Sequence, residues 1–312
     1  MRNLKIAVIN GGPSAEAEVS RSSAKGVIAA LQENYDAVAS MELNTELAKA
    51  LEKFAPDVVF PVLHGPPGED GTLQGFLETL EYSYVGSDVH GSAFAMDKVV
   101  AKAMFRRAGL PVIDEVVVDR EDGVTAAVSD INHSLGEFVV VKPARQGSAV
   151  GVTLIDNAAQ LHAGVENAFQ YDRQLLVERR IVGKEITVGV LDTQDGTIPF
   201  PVIEITTPAD SWYDYEHRYT AGLSDHLIPA RLPAEQQTRL QDLAVRAHQV
   251  LGCRDLSRAD FIVPNDDEEY ILEVNTLPGM TPTSLYPDGA RAYGKDFPAL
   301  VSFLVERAAD RR

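Results

Sequence analysis

Cysteine is nearly absent: Cys253 is the only one in 312 residues, so no disulfide can form within the chain. Flanked by Leu251-Gly252, it reads as a small buried hydrophobe rather than a nucleophile. Positive charge is also scarce, with 28 Lys and Arg against 46 Asp and Glu and a net charge of −18. A balance of that kind argues against nucleic acid as a partner, because a phosphate backbone needs a basic footprint. A nucleotide would have to be met by a few clustered lysines. No apolar run approaches the length that spans a bilayer, so no membrane partner is expected. The opening stretch Met1-Arg2-Asn3-Leu4-Lys5-Ile6-Ala7-Val8-Ile9-Asn10 is too short and too interrupted for a signal peptide, and a cytoplasmic location follows as the expectation. There is no internal repeat, no low-complexity tract and no Gly-x-x-x-x-Gly-Lys-Ser/Thr. Gly11-Gly12 lacks the spaced third glycine of a dinucleotide fingerprint. The two commonest nucleotide-binding folds are thereby removed.

The hydrophobic content of 45% and charged content of 24% are those of a globular protein, and the length exceeds one ordinary core. An apolar strand over 4–9 runs into Gly11-Gly12-Pro13-Ser14 and a helical stretch over about 15–31. A second strand over 57–63 ends at His64-Gly65-Pro66-Pro67-Gly68-Glu69-Asp70-Gly71, before a further helix and a short Tyr84-Val85-Gly86 strand. Strands alternating with helices predict a parallel α/β unit over 1–95, with both glycine-rich loops at the carboxyl ends of strands, where ligands collect. A helix over 98–108 opens a smaller α+β unit, taken as 96–180, with strands at 116–118, 138–142, 152–154 and 175–178 and a helix from Ala158. Strands at 185–191 and 200–205 begin a third unit, 181–312, with a tyrosine-rich polar loop at 211–225 and a helix over 233–251. The fold class is α/β, turning to α+β in the C-terminal half.

Two segments carry chemistry. Arg258-Ala259-Asp260-Phe261-Ile262-Val263 and Tyr270-Ile271-Leu272-Glu273-Val274-Asn275 read as the arms of a hairpin around Pro264-Asn265-Asp266-Asp267. Centring the turn between Asp266 and Asp267 pairs Asp260 with Glu273 and Arg258 with Asn275, all on one face. Uninterrupted alternation puts Ala259, Phe261, Val263, Tyr270, Leu272 and Val274 on the core face. Two carboxylates and an amide oxygen that close are hard ligands suited to Mg²⁺, while Arg258 could instead simply pair with Asp260. The second segment is Val141-Lys142-Pro143-Ala144-Arg145-Gln146-Gly147-Ser148-Ala149-Val150-Gly151, a lysine at a strand end followed by small residues. Such a loop lets backbone amides approach phosphate, with Lys142 and the upstream Lys98 as point charges.

Together these residues resemble the ATP-grasp superfamily, and within it the D-alanine–D-alanine ligase family. The resemblance runs nearly the whole chain, from the segment Gly11 to Ser20 through His64-Gly65, Met96-Asp97-Lys98, Lys142-Pro143 and Trp212-Tyr213-Asp214-Tyr215 to the segment Glu273 to Thr281 with Ser284. It implies three domains with ATP as co-substrate between the last two, and two Mg²⁺ (or Mn²⁺) held by Asp260, Glu273 and Asn275. Lys98, Lys142, Gly147 and Ser148 would touch the phosphates, Glu178 the adenine hinge and Glu185 the ribose. Glu16, Ser148 and Tyr219 would form a hydrogen-bonded triad, with Glu16 anchoring the first D-alanine's ammonium group. His64 would lie near the first carboxylate, Ser284 at the second, and Arg218 beside the substrates on a lid. Arg258 and the Gly279 N–H would stabilise an oxyanion. The reaction implied is the joining of two D-alanine molecules for peptidoglycan precursor synthesis through a D-alanyl phosphate, by a homodimer. Arg218-Tyr219 stands where the family usually has Lys-Tyr, Ala149 where it often has a second serine, and Pro66-Pro67 stiffens a loop usually richer in small residues. A related ligase with another acceptor, such as D-lactate, D-serine or a specialised-metabolite amino acid, is the alternative.

Overall fold

The computed structural model describes residues 3–14, 16–208, 222–264, 268–281 and 284–311. Three sheets organise them. In the first, β1 (Lys5–Asn10), β2 (Ala37–Glu42) and β3 (Val58–Pro61) run parallel in the order β2-β1-β3. Ile6, Ala7, Val8 and Ile9 are all fully buried, as a parallel strand covered on both faces requires. Tyr84 adds a single parallel bridge to Val59. The Ser20 hydroxyl accepts from the Gly11 N–H at 2.8 Å and donates to the Val62 carbonyl, so the first helix, Ala17–Gln32, ties together the carboxyl ends of β1 and β3.

The second sheet is antiparallel, β4 (Glu115–Asp119), β5 (Val139–Pro143), β6 (Thr153–Ile155) and β7 (Gln174–Arg179) in the order β4-β7-β5-β6. Val139, Val141, Leu175 and Val177 point into a core with Ile131 and Leu161 from the helices Val124–Ser134 and Ala158–Ala168. By alternation Lys142 and Glu178 stand on the opposite face.

The third sheet holds β8 (Lys184–Thr193), β9 (Gly196–Pro199), β10 (Ile203–Thr206), β11 (Asp225–Leu227), β12 (Leu256–Val263) and β13 (Tyr270–Asn275). Its order is β11-β10-β8-β12-β13, with β9 beside β8. Ile186, Val188, Ala259, Phe261 and Val274 pack against the helix Ala234–Val250. Cys253 is buried near that core, and burial pushes its thiol up to about 12, which keeps it protonated.

The hairpin pairs Arg258 with Asn275 and Asp260 with Glu273, the register read from the sequence. Beyond that point the alternation fails. Phe261 pairs with Ile271 and Ile262 with Tyr270, leaving Leu272 as an unpaired bulge. Ile271, not Leu272, is fully buried in the core. One extra residue turns the strand over, so Glu273 and Asn275 face the cleft while Ile271 faces the core.

The cores do not follow chain order. The helix Lys98–Arg107, which by sequence opens the central unit, sends Ala101 and Phe105 into the core of the third sheet. The helix Phe297–Ala309 returns to the first unit, burying Leu300, Val301, Leu304 and Val305 against Ile6, Val8 and Val27. Asp255 fastens this return. It is fully buried and accepts from Arg311 at 2.6 and 2.8 Å and from the Gly86 N–H at 2.9 Å.

Candidate active site

The face of the third sheet turned away from its core is acidic. Glu185, Thr187 and Gly189 on β8 lie beside Ile262, Asp260 and Arg258 on β12, and Glu273 and Asn275 follow on β13. Asp260 is the hub of this face. Arg258 donates to it through Nε at 2.8 Å and Nη2 at 2.7 Å, Thr187 Oγ1 at 2.6 Å and Asn275 Nδ2 at 3.0 Å. The Arg258–Asp260 pair admitted by the sequence is therefore formed, while Arg258 also lines a cavity on the N-terminal side. Glu273 meets Lys98, with Nζ 3.1 Å from Oε2. Lys98 stands at the start of its helix, whose first N–H groups are capped by Asp97, and its Nζ also donates to the Gln146 carbonyl at 2.8 Å. The phosphate loop and the hairpin are thus joined through one ammonium group.

Across the cleft, Lys142 donates to Glu178, whose other oxygen lies 2.5 Å from Lys102 Nζ. Burial would raise the Glu178 carboxyl, but the two lysines outweigh it and hold the group down to about 2. Lys102 is itself buried, and its Nζ donates to the Ile271 carbonyl at 2.7 Å. Sequence reasoning missed Lys102. The available signal was its position one turn beyond Lys98, on the same helix face.

The loop after Lys142 is folded tightly. Ser148 and Ala149 have φ of +47° and +60°, a left-handed geometry unusual for non-glycine residues. That geometry points the Ser148 hydroxyl at the buried Glu16, to which it donates. Gly151 has φ +72°, and a Cβ there would lie 2.6 Å from Tyr171 Cδ2 and 2.8 Å from Pro143 Cγ, so only glycine fits. Tyr219 and Arg218, like most of the tyrosine-rich loop, lie outside the described residues.

A cavity of about 850 Å³ connects the three units. Glu16, His64 and Glu69 from the first unit, Gly147 and Ser148 from the second, and Arg258, Gly279 and Ser284 from the third line it. His64 is buried, and its Nε2 has no hydrogen-bond partner among the described residues. Burial lowers its pKa against the pull of Glu16, with Arg258 lowering it further, so a neutral imidazole faces the cavity. Glu69, missed as a site residue although its motif was noted, accepts from the Gly65 N–H. Its carboxyl is pushed up to about 8, chiefly by burial and also by Glu16 and Glu273, against that N–H. Ser284 accepts from the Thr281 N–H at 3.1 Å, and a Cβ on Gly279 would come within 2.9 Å of Ser284 Oγ. Glycine is what lets that backbone lie against the hydroxyl.

The donor set fits a magnesium ion. Its atoms are hard oxygens on adjacent strands, and each carboxylate now carries a cation, a guanidinium on Asp260 and an ammonium on Glu273. Among the described residues no three Asp, Glu, His or Cys form a cluster that would hold a metal alone. Two carboxylates and an amide leave positions for phosphate and water, the habit of Mg²⁺ with nucleotides.

Lys142 on the central sheet and Lys98 at a helix start, set against the carboxylate-bearing hairpin of the third sheet, with a parallel α/β unit lining the same cavity, define an ATP-grasp enzyme. The family model for the D-ala D-ala ligase C-terminus matches residues 104–306, and that for the N-terminus matches 39–87. A curated D-alanine–D-alanine ligase from Halalkalibacterium halodurans is 45% identical over 97% of this chain and 98% of its own. The crystal structure of the D-alanine–D-alanine ligase from Bacillus anthracis complexed with ATP superposes with a TM-score of 0.82 at 29% identity, covering 99% of this chain and 98% of that one. The VanG D-Ala:D-Ser ligase from Enterococcus faecalis gives 0.84 at 33% identity, covering 98% and 100%. The chain belongs to the D-alanine–D-alanine ligase family.

Proposed function

We propose that this chain joins two molecules of D-alanine with ATP as co-substrate, releasing ADP and phosphate, for peptidoglycan precursor synthesis. The observation that carries the reading is a cavity lined by Glu16, Ser148, Arg258 and Ser284, one or more from each unit. Lys98, Lys142 and the amides around Gly147 and Ser148 bind the ATP phosphates, with Glu178 behind Lys142 at the adenine side and Glu185 at the ribose. Asp260, Glu273 and Asn275 would hold two Mg²⁺ or Mn²⁺, and the ions would supply charge neutralisation for the transferred phosphoryl group.

Glu16 takes the ammonium group of the first D-alanine, and His64 lies near its carboxylate. A carboxylate oxygen of that D-alanine attacks the γ-phosphorus, and the bond to the ADP oxygen breaks to give D-alanyl phosphate. The amine of the second D-alanine, its carboxylate at Ser284 and Arg218, then attacks the acyl carbon. Arg258 and the Gly279 N–H stabilise the oxyanion of the tetrahedral intermediate. Phosphate departs, and the amine gives up its proton. Tyr219 joins Glu16 and Ser148 to seat the lid and exclude water. The enzyme is read as a cytoplasmic homodimer; among the described residues no helix is long and apolar enough to cross a membrane.

The likeness to a D-Ala:D-Ser ligase favours a second reading, the same activation step with D-serine as acceptor. Phosphate release from Mg·ATP with D-alanine alone, beside D-alanine with D-serine or D-lactate and an L-alanine control, separates the two when products are weighed by mass spectrometry. Rapid formation of the D-alanine dipeptide is expected. Turnover only with a second acceptor would replace the first reading by the second, and full activity of Glu273→Ala would remove the metal assignment.

A further inference from the structure

One edge of the third sheet is the strand β13, whose outer backbone groups have no neighbouring strand among the described residues. An edge of this kind must be covered or it remains open to pairing and distortion. At the bulge the cover is specific. The Ile271 N–H donates to the Pro111 carbonyl at 3.0 Å, and the Ile271 carbonyl accepts from Lys102 Nζ at 2.7 Å. Lys102 is 1% exposed, its ammonium group also lies 2.5 Å from Glu178, and Glu178 in turn holds Lys142. An unbroken polar chain therefore runs from Lys142 on the central sheet to the bulge on the metal hairpin. Two residues beyond Ile271 stands Glu273, which one helical turn before Lys102 meets Lys98.

We infer that Lys102 is a positioning residue for the metal site: by capping the Ile271 carbonyl it fixes the bulge that turns Glu273 toward the cleft. The inference rests on the reading of Glu273 as a metal ligand. Without the bulge, Ile271 and Glu273 would share a face, since alternate residues of a strand point the same way. Ile271 is fully buried in the core, so a strand that lost its bulge would drag either Ile271 out or Glu273 in. Lys102 resists this with an N–H donor that β13 cannot obtain from a neighbour. Burial lowers the pKa of its ammonium group, against the pull of Glu178, and the arrangement makes metal geometry depend on a residue outside the proposed set of metal ligands.

The test is metal binding rather than turnover. Mn²⁺ is titrated by electron paramagnetic resonance into the full-length chain with saturating ADP, for wild type, Lys102→Met, Lys102→Arg and Glu273→Gln. Outer-shell partners of metal ligands typically govern about 10- to 100-fold of affinity. Lys102→Met is expected to weaken Mn²⁺ about tenfold while the KM for D-alanine holds; Lys102→Arg, which keeps a charged donor, is expected to fall between it and wild type. Lys102→Met with unchanged Mn²⁺ affinity and only a lowered melting temperature would overturn the positioning role. If Lys102→Met does not fold, Lys102→Arg decides: wild-type Mn²⁺ affinity there overturns the inference, and a severalfold loss supports it. Unaltered Mn²⁺ affinity in Glu273→Gln would instead overturn the metal reading itself, and this inference with it.

Discussion

Replacing Glu178 by glutamine removes one negative charge from between two lysines without changing the shape of the side chain. Glu178 is 1% exposed, and its carboxyl is held down to about 2 from an ordinary value of 4.5. At about 1.4 kcal/mol per pH unit, that displacement is worth about 3 kcal/mol of folding stability at neutral pH. The figure agrees with the roughly 3–5 kcal/mol lost when one partner of a buried ion pair is removed. A carboxyl lowered on folding stabilises the protein fully above its unfolded value, and the contribution is lost as pH falls from 4.5 toward 2. Urea unfolding followed by circular dichroism should therefore find Glu178→Gln about 3 kcal/mol less stable than wild type at pH 7, with the gap narrowing by roughly half near pH 3. The KM for ATP should rise as well, because Lys142 loses the partner that orients it. A difference below about 1 kcal/mol at pH 7, or one that stays constant on acidification, would refute the account of this buried cluster.

The other perturbations have different signatures. Glu69 has the opposite sign: with a folded value of about 8 against 4.5, its stabilising effect is complete below 4.5 and lost as pH rises through 8. Glu69→Gln should flatten the decline of stability between pH 5 and 8, and identical slopes for the two proteins in urea titrations would count against the buried carboxyl. Gly151→Ala forces a left-handed alanine against Tyr171 and Pro143; a loss of about 2 kcal/mol by calorimetry and a raised KM for ATP are expected. Asp255→Ala leaves the buried Gly86 N–H without its acceptor and Arg311 with only the Tyr84 carbonyl, with an expected cost of about 1–3 kcal/mol in urea unfolding, whereas Asp255→Asn should recover part of it.

Much of the site was legible because its residues sit at strand ends and in alternating strands. Arg258, Asp260, Glu273 and Asn275 could be assigned to one face by alternation within each arm, and the pairing centred between Asp266 and Asp267 holds over those positions because the bulge at Leu272 makes up for a turn one half-step nearer β12. The bulge could not be read, because Ile271 and Leu272 are both aliphatic and either satisfies the core pattern. Lys102 was hidden for a related reason. In a helix containing Lys98, Lys102, Arg106 and Arg107, a lysine resembles any solvated cation, and only the tertiary fold shows that one of the four is buried. Among the elements, β2, with its sequence Ala37-Val38-Ala39-Ser40-Met41-Glu42, lacks a strong apolar run and passed unnoticed, as did the helices Val124–Ser134, Leu285–Ala292 and Phe297–Ala309. The helix Phe297–Ala309 is apolar enough to announce burial, but nothing in its pattern says that it packs against residues almost three hundred positions earlier.

That long-range packing bears on how the chain reaches its native state during synthesis. Ile6, Val8 and Val27 emerge from the ribosome almost three hundred residues before Leu300, Val301, Leu304 and Val305, which close their hydrophobic surface. The first unit must wait, partly uncovered, until the helix Phe297–Ala309 has been made. Contacts so distant in sequence slow folding and leave apolar surface accessible in the interval. Nascent chains halted before residue 297 should therefore bind holdase chaperones through their first unit, and release from the chaperone should coincide with docking of the final helix.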